Sequence, residues 1–361
     1  MNRDQVINFA AGPAVLPEEV LEIASKELLN YNGSGMSVME MSHRSSIYIE
    51  IFNSTKAKLK AALNVPDTHE ILFLQGGASM QFSMIPMNLM GENGSADYAV
   101  TGNFAANASA EAKKYGAVRV VASSEDKNHS YIPPQEALDL DPNAKYFHYT
   151  ANNTVFGTEW KYVPETNGVP IVSDMSSNIL SKPIDVAKHG LIYAGAQKNM
   201  GPAGVTVVII DKALGGNELA YTPALLSYQR MIDSDSMYNT PPCYSIYILG
   251  LVLDWLESRG GVVGMEKIKG DRAKLLYDYL DNSAFYNGCA EKEFRSDMNV
   301  TFKTADKDLD AAFAKQAAAQ GLENIAGHRN AGGMRASLYN AMPVSGVEKL
   351  IAFMKDFEVN N

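Results

Sequence analysis

The chain has 361 residues, 46% of them hydrophobic and 20% charged, which suits a globular protein with one large or two smaller cores. Its 31 basic and 41 acidic residues leave a net charge of −10, which argues against a broad nucleic-acid-binding or anionic-membrane surface. Two cysteines, Cys243 and Cys289, are too few for a disulfide framework and lack a metal-ligand spacing. The first residues contain no apolar signal segment, so we expect a cytoplasmic protein.

Strand-like and helix-like segments alternate after an N-terminal arm, residues 1–16, and this pattern predicts an α/β large domain with a mostly parallel sheet over residues 17–258. The predicted strands are 70–74, 98–100, 118–121, 146–149, 169–174, 191–194 and 205–210. One predicted helix begins at Pro17, and two others cover residues 80–90 and 104–115.

A smaller C-terminal α+β domain is predicted over residues 259–361. Two long helices bridge to it, and strands and helices then alternate to the end of the chain. These segments are helices 244–258 and 262–282, strand 299–302, helix 308–320, strand 334–338 and helix 344–357.

Lys198 lies in the link between two apolar runs, 191–194 and 205–210, both expected to be buried strands of a parallel sheet. Desolvation at a strand end lowers the pKa of a lysine and makes its amine nucleophilic. Asp174 ends another strand-like run 24 residues earlier. An amine for a Schiff base and an anion for a pyridinium nitrogen are what pyridoxal 5′-phosphate requires. Taken singly, a solvated surface lysine and a helix-capping aspartate are the alternatives.

A glycine-containing loop, residues 75–79, joins a predicted strand to a predicted helix. Small residues and free N–H groups at a helix N-terminus suit an anion, so Ala78 and Ser79 are candidate phosphate ligands. A plain strand-to-helix connection is the alternative. Phe104 at the next such junction could stack on a planar cofactor, and Thr154 could reach its hydroxyl group. Core packing and an ordinary turn are the alternatives for these two.

Two His-Arg pairs, His43-Arg44 and His328-Arg329, stand out in an acidic chain with six histidines, and Arg335 follows the second. The arginine fork matches carboxylates and phosphates, and histidine adds a donor. Convergence of these groups would suit a substrate with two separate anions. Isolated surface ion pairs are the alternative.

The chain resembles the phosphoserine aminotransferase family, a branch of the class V aminotransferases among fold-type I pyridoxal-phosphate enzymes. The resemblance covers nearly the full length. It is carried by Asn8-Phe9, Gly12-Pro13-Ala14, residues 35–40 before Ser42-His43-Arg44, Gly76-Gly77, Ala196-Gln197-Lys198-Asn199, Asn239-Thr240-Pro241-Pro242, Gly327-His328-Arg329 and residues 332–337.

The resemblance implies a seven-stranded sheet, pyridoxal 5′-phosphate as cofactor and a homodimer whose active sites are shared at the interface. Lys198 would form the Schiff base and Asp174 would pair with the ring nitrogen. The other implied cofactor contacts are Ala78, Ser79, Phe104, Thr154 and Gln197, with Asn239 and Thr240 reaching the other subunit's cofactor. Arg335 would bind the substrate α-carboxylate. The implied residues around the distal anion are His43, Arg44, His328 and Arg329.

The implied reaction is reversible transamination between glutamate and 3-phosphohydroxypyruvate, which gives O-phospho-L-serine and 2-oxoglutarate in serine biosynthesis. Use of 4-phosphohydroxy-L-threonine in vitamin B6 synthesis is also implied. Three positions depart from some relatives: Ala11 replaces serine, Ser79 replaces arginine and Phe104 replaces tryptophan.

Three alternatives share parts of this pattern. A cysteine desulfurase needs a catalytic cysteine in a flexible loop, and neither cysteine lies in a glycine- or serine-rich segment. A serine–glyoxylate-type aminotransferase would not need two His-Arg pairs. A non-catalytic sensor of phosphorylated ligands would need neither Lys198 nor Asp174.

Overall fold

A seven-stranded sheet lies at the centre of the computed structural model, which describes residues 2–361. In chain order the strands are β1 (Ile7–Asn8), β2 (His69–Leu74), β3 (Ser95–Val100), β4 (Ala117–Ser123), β5 (Phe147–Thr150), β6 (Asn152–Asn153), β7 (Thr158–Glu159), β8 (Ile171–Asp174), β9 (Leu191–Gly195), β10 (Thr206–Asp211), β11 (Asn287–Gly288), β12 (Asn299–Lys303), β13 (Leu322–Glu323) and β14 (Met334–Ser337). The α-helices are α1 (Glu18–Glu27), α2 (Ser46–Ala62), α3 (Gly77–Leu89), α4 (Asn103–Ala112), α5 (Tyr228–Asp233), α6 (Cys243–Ser258), α7 (Gly261–Asn282), α8 (Lys307–Ala319) and α9 (Val344–Asn360).

The order of the large sheet is β2-β10-β9-β8-β5-β3-β4. β10 pairs antiparallel with β2 and with β9, and the other neighbouring pairs of this sheet are parallel. The prediction of a mostly parallel, seven-stranded sheet is confirmed. The expectation that the run 205–210 is parallel to 191–194 is wrong. Residues 196–205 link these strands, and a parallel crossover needs about a dozen residues or more, usually with a helix. The chain therefore returns antiparallel, and Lys198 lies in that short return.

The two faces of the sheet are both buried, as the β-branched run of β10 predicts. Val207 and Ile209 belong to the core beneath α2 and α6, whereas Val208 and Ile210 belong to the core beneath α3 and α4. Alternate residues of one strand thus anchor two helical layers, and burial on both faces explains why the run is continuously apolar. We call the large sheet, the two-stranded sheet of β6 and β7, and helices α1–α6 the sheet unit.

Strands β11, β12 and β14 form a separate antiparallel sheet that packs with α7, α8 and α9; we call this the C-terminal unit. Its core is rich in aromatic rings, including Phe302, Phe313 and Phe353. The N-terminal arm joins it, since β1 pairs in parallel with β13 and Phe9 is fully buried in that core. The expected bounds 1–16, 17–258 and 259–361 stay a prediction.

The helix beginnings have local causes. Ser45 caps α2 by accepting a hydrogen bond from the Tyr48 N–H, and Asp306 caps α8 through the Asp308 N–H. Gly76, with φ of +85°, precedes α3, which begins three residues before the predicted start at 80.

Among residues 2–361 we find no helix whose length and apolar character would let it span a bilayer.

Candidate active site

Lys198 lies directly after β9, on the edge of the sheet where the parallel strands end. The N-terminal arm crosses it here, and the Ala14 N–H donates to the carbonyl of Gln197 at 2.9 Å. Gly12 permits this approach: its φ is +143°, and a Cβ there would lie 3.1 Å from Cγ of Lys198. The arm therefore covers the aliphatic stem of the lysine.

The amine of Lys198 has two close neighbours. Its Nζ donates to Oγ1 of the buried Thr154 at 2.9 Å and lies 4.8 Å from the centre of the Phe104 ring. Burial lowers the pKa of Lys198 to about 8; the Asp174 carboxylate raises this pKa and the Arg335 guanidinium lowers it further. Such a pKa leaves about a tenth of the amine uncharged at pH 7, whereas an ordinary lysine has almost none. The structure therefore brings together five residues that lie far apart in the sequence and that the sequence analysis singled out.

Asp174 is the last residue of β8 and is 5% exposed. The Ser176 N–H donates to its Oδ1 at 2.9 Å, and no lysine or arginine within residues 2–361 forms an ion pair with it. A buried carboxylate without a permanent counterion is costly unless another cation approaches it. The geometry suits a protonated ring nitrogen of a ligand.

Two residues behind Asp174, Tyr193 and His148, were not assigned a functional role from the sequence. Tyr193 of β9 pairs in register with Asp174, and the Tyr193 hydroxyl lies 2.9 Å from Nε2 of His148. Burial, and secondly the Asp174 carboxylate, raise the pKa of Tyr193 well above its ordinary value. Burial lowers the pKa of His148 to about 3, which keeps this imidazole neutral at pH 7. The available signal was a polar residue within each apolar strand, because a buried polar group needs a partner.

The N-terminus of α3 lies at the same sheet edge as Lys198, because Leu74 of β2 and Gly195 of β9 both pair with Thr206 between them. Its first turn presents the N–H groups of Gly77, Ala78 and Ser79. A Cβ at Gly76 would come within 2.5 Å of Met80, so glycine is required there. Gln197 adjoins the lysine. The arrangement can hold a phosphate at the helix end.

Arg335 lies in β14 of the C-terminal unit, and its backbone N–H donates to the Ile325 carbonyl at 2.7 Å. Its buried Nε has no hydrogen-bond partner among residues 2–361, and burial lowers the pKa of the guanidinium. His328 is half-buried nearby: burial, and then the charges of Arg335 and Arg329, lower its pKa. Neither arginine forms an ion pair anywhere in residues 2–361. The isolated-ion-pair alternative is thus wrong for this group, which has donors left for an anion.

Within residues 2–361 no hydrogen bond or ion pair joins His43 or Arg44 to the groups around Lys198. The two residues precede α2, Arg44 is exposed, and its N–H bonds to the neighbouring Ser42 hydroxyl at 3.3 Å. Thr240 lies nearer the α3 loop, since its carbonyl accepts a hydrogen bond from the Gln75 side chain at 3.1 Å. Asn239, its neighbour, is half-buried.

A cavity of about 920 Å³ lies elsewhere, between the N-terminal arm and the two units, with Arg3, Pro17, Trp255 and Arg272 among its lining residues. Neither Lys198 nor Asp174 lines it. The chemically distinctive groups lie instead in the cleft at the sheet edge.

The amino-acid sequence matches the family model of class V aminotransferases over residues 6–350. Among curated relatives, phosphoserine aminotransferase of Nitrosomonas europaea is 51% identical, over 99% of each chain, and that of Bacillus cereus strain ZK is 48% identical, also over 99% of each.

Solved structures agree with this similarity. Phosphoserine aminotransferase from Bacillus circulans subsp. alkalophilus superposes with a TM-score of 0.97 at 45% identity, over 99% of both chains. A pyridoxal-phosphate-bound phosphoserine aminotransferase from Trichomonas vaginalis has a TM-score of 0.93 at 37% identity, over 97% of this chain and 99% of that one. The chain belongs to the class V aminotransferase family, in its phosphoserine aminotransferase branch.

Proposed function

We propose that the chain is a pyridoxal-phosphate-dependent aminotransferase that transfers the amino group of glutamate to 3-phosphohydroxypyruvate, reversibly, giving O-phospho-L-serine and 2-oxoglutarate. One observation carries the proposal: a lysine amine with a pKa near 8 is flanked by a buried carboxylate without a counterion and by an arginine without an acid. Relatives near 50% identity over the full chain carry this activity in their names.

The residues at the sheet edge fit the cofactor. Lys198 would hold it covalently, Asp174 would face its ring nitrogen, and Phe104 would cover one ring face. Thr154 would lie near its hydroxyl group. The phosphate would meet Ala78 and Ser79 at the N-terminus of α3, together with Gln197. Asn239 and Thr240 would reach the phosphate of the cofactor in the partner subunit. When bound, pyridoxal phosphate supplies an aldehyde carbon and an electron-withdrawing ring.

Lys198 is proposed to move the proton. With its amine free, Lys198 would accept the proton from the substrate Cα and hold it for transfer to the carbon on the other side of the substrate nitrogen. Its lowered pKa favours this role, because the base is then partly uncharged near neutral pH. Thr154 would orient the amine through its hydroxyl group.

The substrate anions are proposed to bind on the other side of the cleft. Arg335, with its free donors, would take the α-carboxylate common to all amino-acid substrates. The distal carboxylate or phosphate would meet His328 and Arg329. His43 and Arg44 would join them from the partner subunit, because no hydrogen bond or ion pair within residues 2–361 connects them to the groups around Lys198.

This arrangement requires a homodimer with shared active sites. The surface beside these residues supports it, since Met39 is 60% and Tyr238 is 45% exposed. Mixing Arg44→Ala and Lys198→Ala subunits tests the sharing. Neither variant alone should be active, and the mixture should recover about a quarter of wild-type activity. An inactive mixture that contains mixed dimers would contradict a shared site.

Cysteine desulfurase is the main rival within the family. Such an enzyme needs a nucleophilic thiolate. Burial raises the pKa of both thiols, and Sγ of Cys243 donates to the Pro241 carbonyl at 3.3 Å. These features disfavour the thiolate form.

Two finer assignments belong to the same proposal. The chain would also use 4-phosphohydroxy-L-threonine, whose phosphate and α-carboxylate resemble those of phosphoserine. A cytoplasmic location is supported by its two unpaired cysteines, which suit a reducing compartment.

Visible absorption of the purified protein with pyridoxal phosphate tests the main proposal. We expect a yellow band that bleaches with glutamate or phosphoserine and is insensitive to cysteine. Lys198→Ala is the matched control and should lack the band. A band that ignores both amino acids would indicate a sensor, and one that responds to cysteine alone would indicate a desulfurase.

A further inference from the structure

The groups around the cleft belong to two different units of the fold. Lys198, Thr154 and Asp174 lie on the sheet unit, whereas Arg335 lies on the C-terminal unit. In an amino acid the α-carboxylate and the amine are attached to the same carbon. A substrate that engages Arg335 and reacts beside Lys198 therefore requires a precise spacing between the units.

A pair of amide side chains crosses the boundary between the units. Nδ2 of Asn152 donates to Oδ1 of Asn299 at 2.8 Å, and these residues are 1% and 0% exposed. The same Nδ2 also donates to Ser177 at 2.8 Å, and Oδ1 of Asn152 accepts from Ser296 at 2.5 Å. Every polar atom of the Asn152 side chain is thus used.

Asn299 continues the network within the C-terminal unit. Its Nδ2 donates to Oγ of Ser337 at 3.1 Å and to the hydroxyl of Tyr339 at 3.3 Å. The Tyr339 hydroxyl in turn donates to the carbonyl of Ala11 in the N-terminal arm, at 2.7 Å. A fully satisfied buried polar network admits few alternative arrangements, because any shift leaves a donor unpaired.

The network ends in the two chain segments that carry Thr154 and Arg335. Asn152 lies two residues before Thr154, which holds the lysine amine, and Asn299 pairs in register with Ser337, two residues after Arg335. Next to Lys198, Oδ1 of Asn199 accepts from the Asn340 N–H at 2.8 Å, a second bond across the same boundary.

We propose that Asn152 and Asn299 are positioning residues that set the spacing between the Lys198 amine and the Arg335 guanidinium. The proposal rests on the aminotransferase function above. Loss of the pair would let the units shift, so the α-carboxylate and the reacting carbon could no longer be held together. Misplacement of about 1 Å reduces rates roughly 100-fold in well-oriented sites.

Asn299→Ala is the first test, with Asn88→Ala as its matched control. Asn88 is a buried asparagine of α3 that bonds to the Met84 and Leu226 carbonyls, away from the boundary. For Asn299→Ala we expect kcat/KM for glutamate to fall about 100-fold, with a KM increase of about 10-fold. The cofactor's yellow band and its stoichiometry should be unchanged. Asn88→Ala should lower thermal stability and keep KM.

Tyr339→Phe provides a milder test if Asn299→Ala does not fold, and Tyr228→Phe is its control. Both substitutions remove one hydroxyl from a fully buried tyrosine, and the Tyr228 hydroxyl donates to Gln81 within the sheet unit, at 2.6 Å. We expect a KM increase of several-fold for Tyr339→Phe alone.

A double-variant cycle completes the experiment. Asn152→Ala combined with Asn299→Ala should lower kcat/KM no further than the worse single variant, because both remove one shared contact. Wild-type-like KM in stable Asn299→Ala and Tyr339→Phe proteins would overturn the proposal. If the wild-type band itself ignores glutamate, the proposed function fails instead, so the two failures are distinguishable.

Discussion

Asp174 and Arg335 both place a charge near Lys198, yet the fold surrounds them differently. Asp174 ends a central strand, is 5% exposed and has Ser176, Tyr193 and His148 packed behind it. Arg335 lies on a short three-stranded sheet, with an unpartnered Nε. In the proposed function Asp174 meets the cofactor ring, whereas Arg335 has donors left for the substrate. Substitutions on the sheet side should therefore change kcat, and those on the C-terminal side should change KM.

Lys198→Ala should have the largest effect, and it is the most direct test of this difference between the two sides. We expect kcat to fall about 10⁴-fold or more, because the covalent anchor and the general base are lost together. Single-turnover assays with added pyridoxal phosphate measure it. Turnover within 10-fold of wild type would contradict the role assigned to this amine.

Asp174→Asn should lower kcat by about 100- to 1,000-fold while KM for glutamate stays within about three-fold, since a preorganised charge is removed from the reacting centre. In the cofactor-free protein the pKa of Lys198 should fall further, because the Asp174 carboxylate raises it. The pH dependence of amine modification at residue 198 measures that shift. A change confined to KM would contradict the division between the two sides.

Arg335→Ala should raise KM for glutamate and for phosphoserine alike, by about 10- to 100-fold, because both carry the α-carboxylate. The pKa of Lys198 should rise in this variant, opposite to its change in Asp174→Asn. Arg259→Ala is the control, since Arg259 is exposed and pairs with Glu19 at 2.6 Å. Selective loss of phosphoserine binding would instead place Arg335 at the distal anion.

The smallest expected effect is a pH dependence of stability in the cofactor-free protein. The pKa of Lys198 is about 8 in the folded chain and has its ordinary value of 10.5 when unfolded. Between these values the unfolded chain binds more protons, so stability rises with pH across this window. The urea midpoint of wild type should therefore increase relative to that of Lys198→Met between pH 8 and 10. An unchanging difference would show that the amine is not desolvated.

The candidate site shows which functional residues can be identified from a local sequence pattern. Lys198 and Asp174 could be identified because each follows a strand-like run, and strand ends of a parallel sheet meet at one edge. The direction of β10 was mispredicted because the apolar run is the same in either orientation, and only the short link excludes a parallel crossover. Tyr193 and His148 were assigned to strands, but nothing local shows that Tyr193 adjoins Asp174 and bonds to His148.

The order of strands and helices, and the chemistry of a lysine and an aspartate at strand ends, follow from periodicity and residue type over a few neighbouring residues. The residues that contact those groups cannot be identified from the local sequence. Asn152 and Asn299 are 147 positions apart, and their contact exists only because the β6–β7 sheet packs against the three-stranded sheet of the C-terminal unit. Hydrogen bonds between such distant residues depend on strand order and unit packing, which the tertiary structure alone decides.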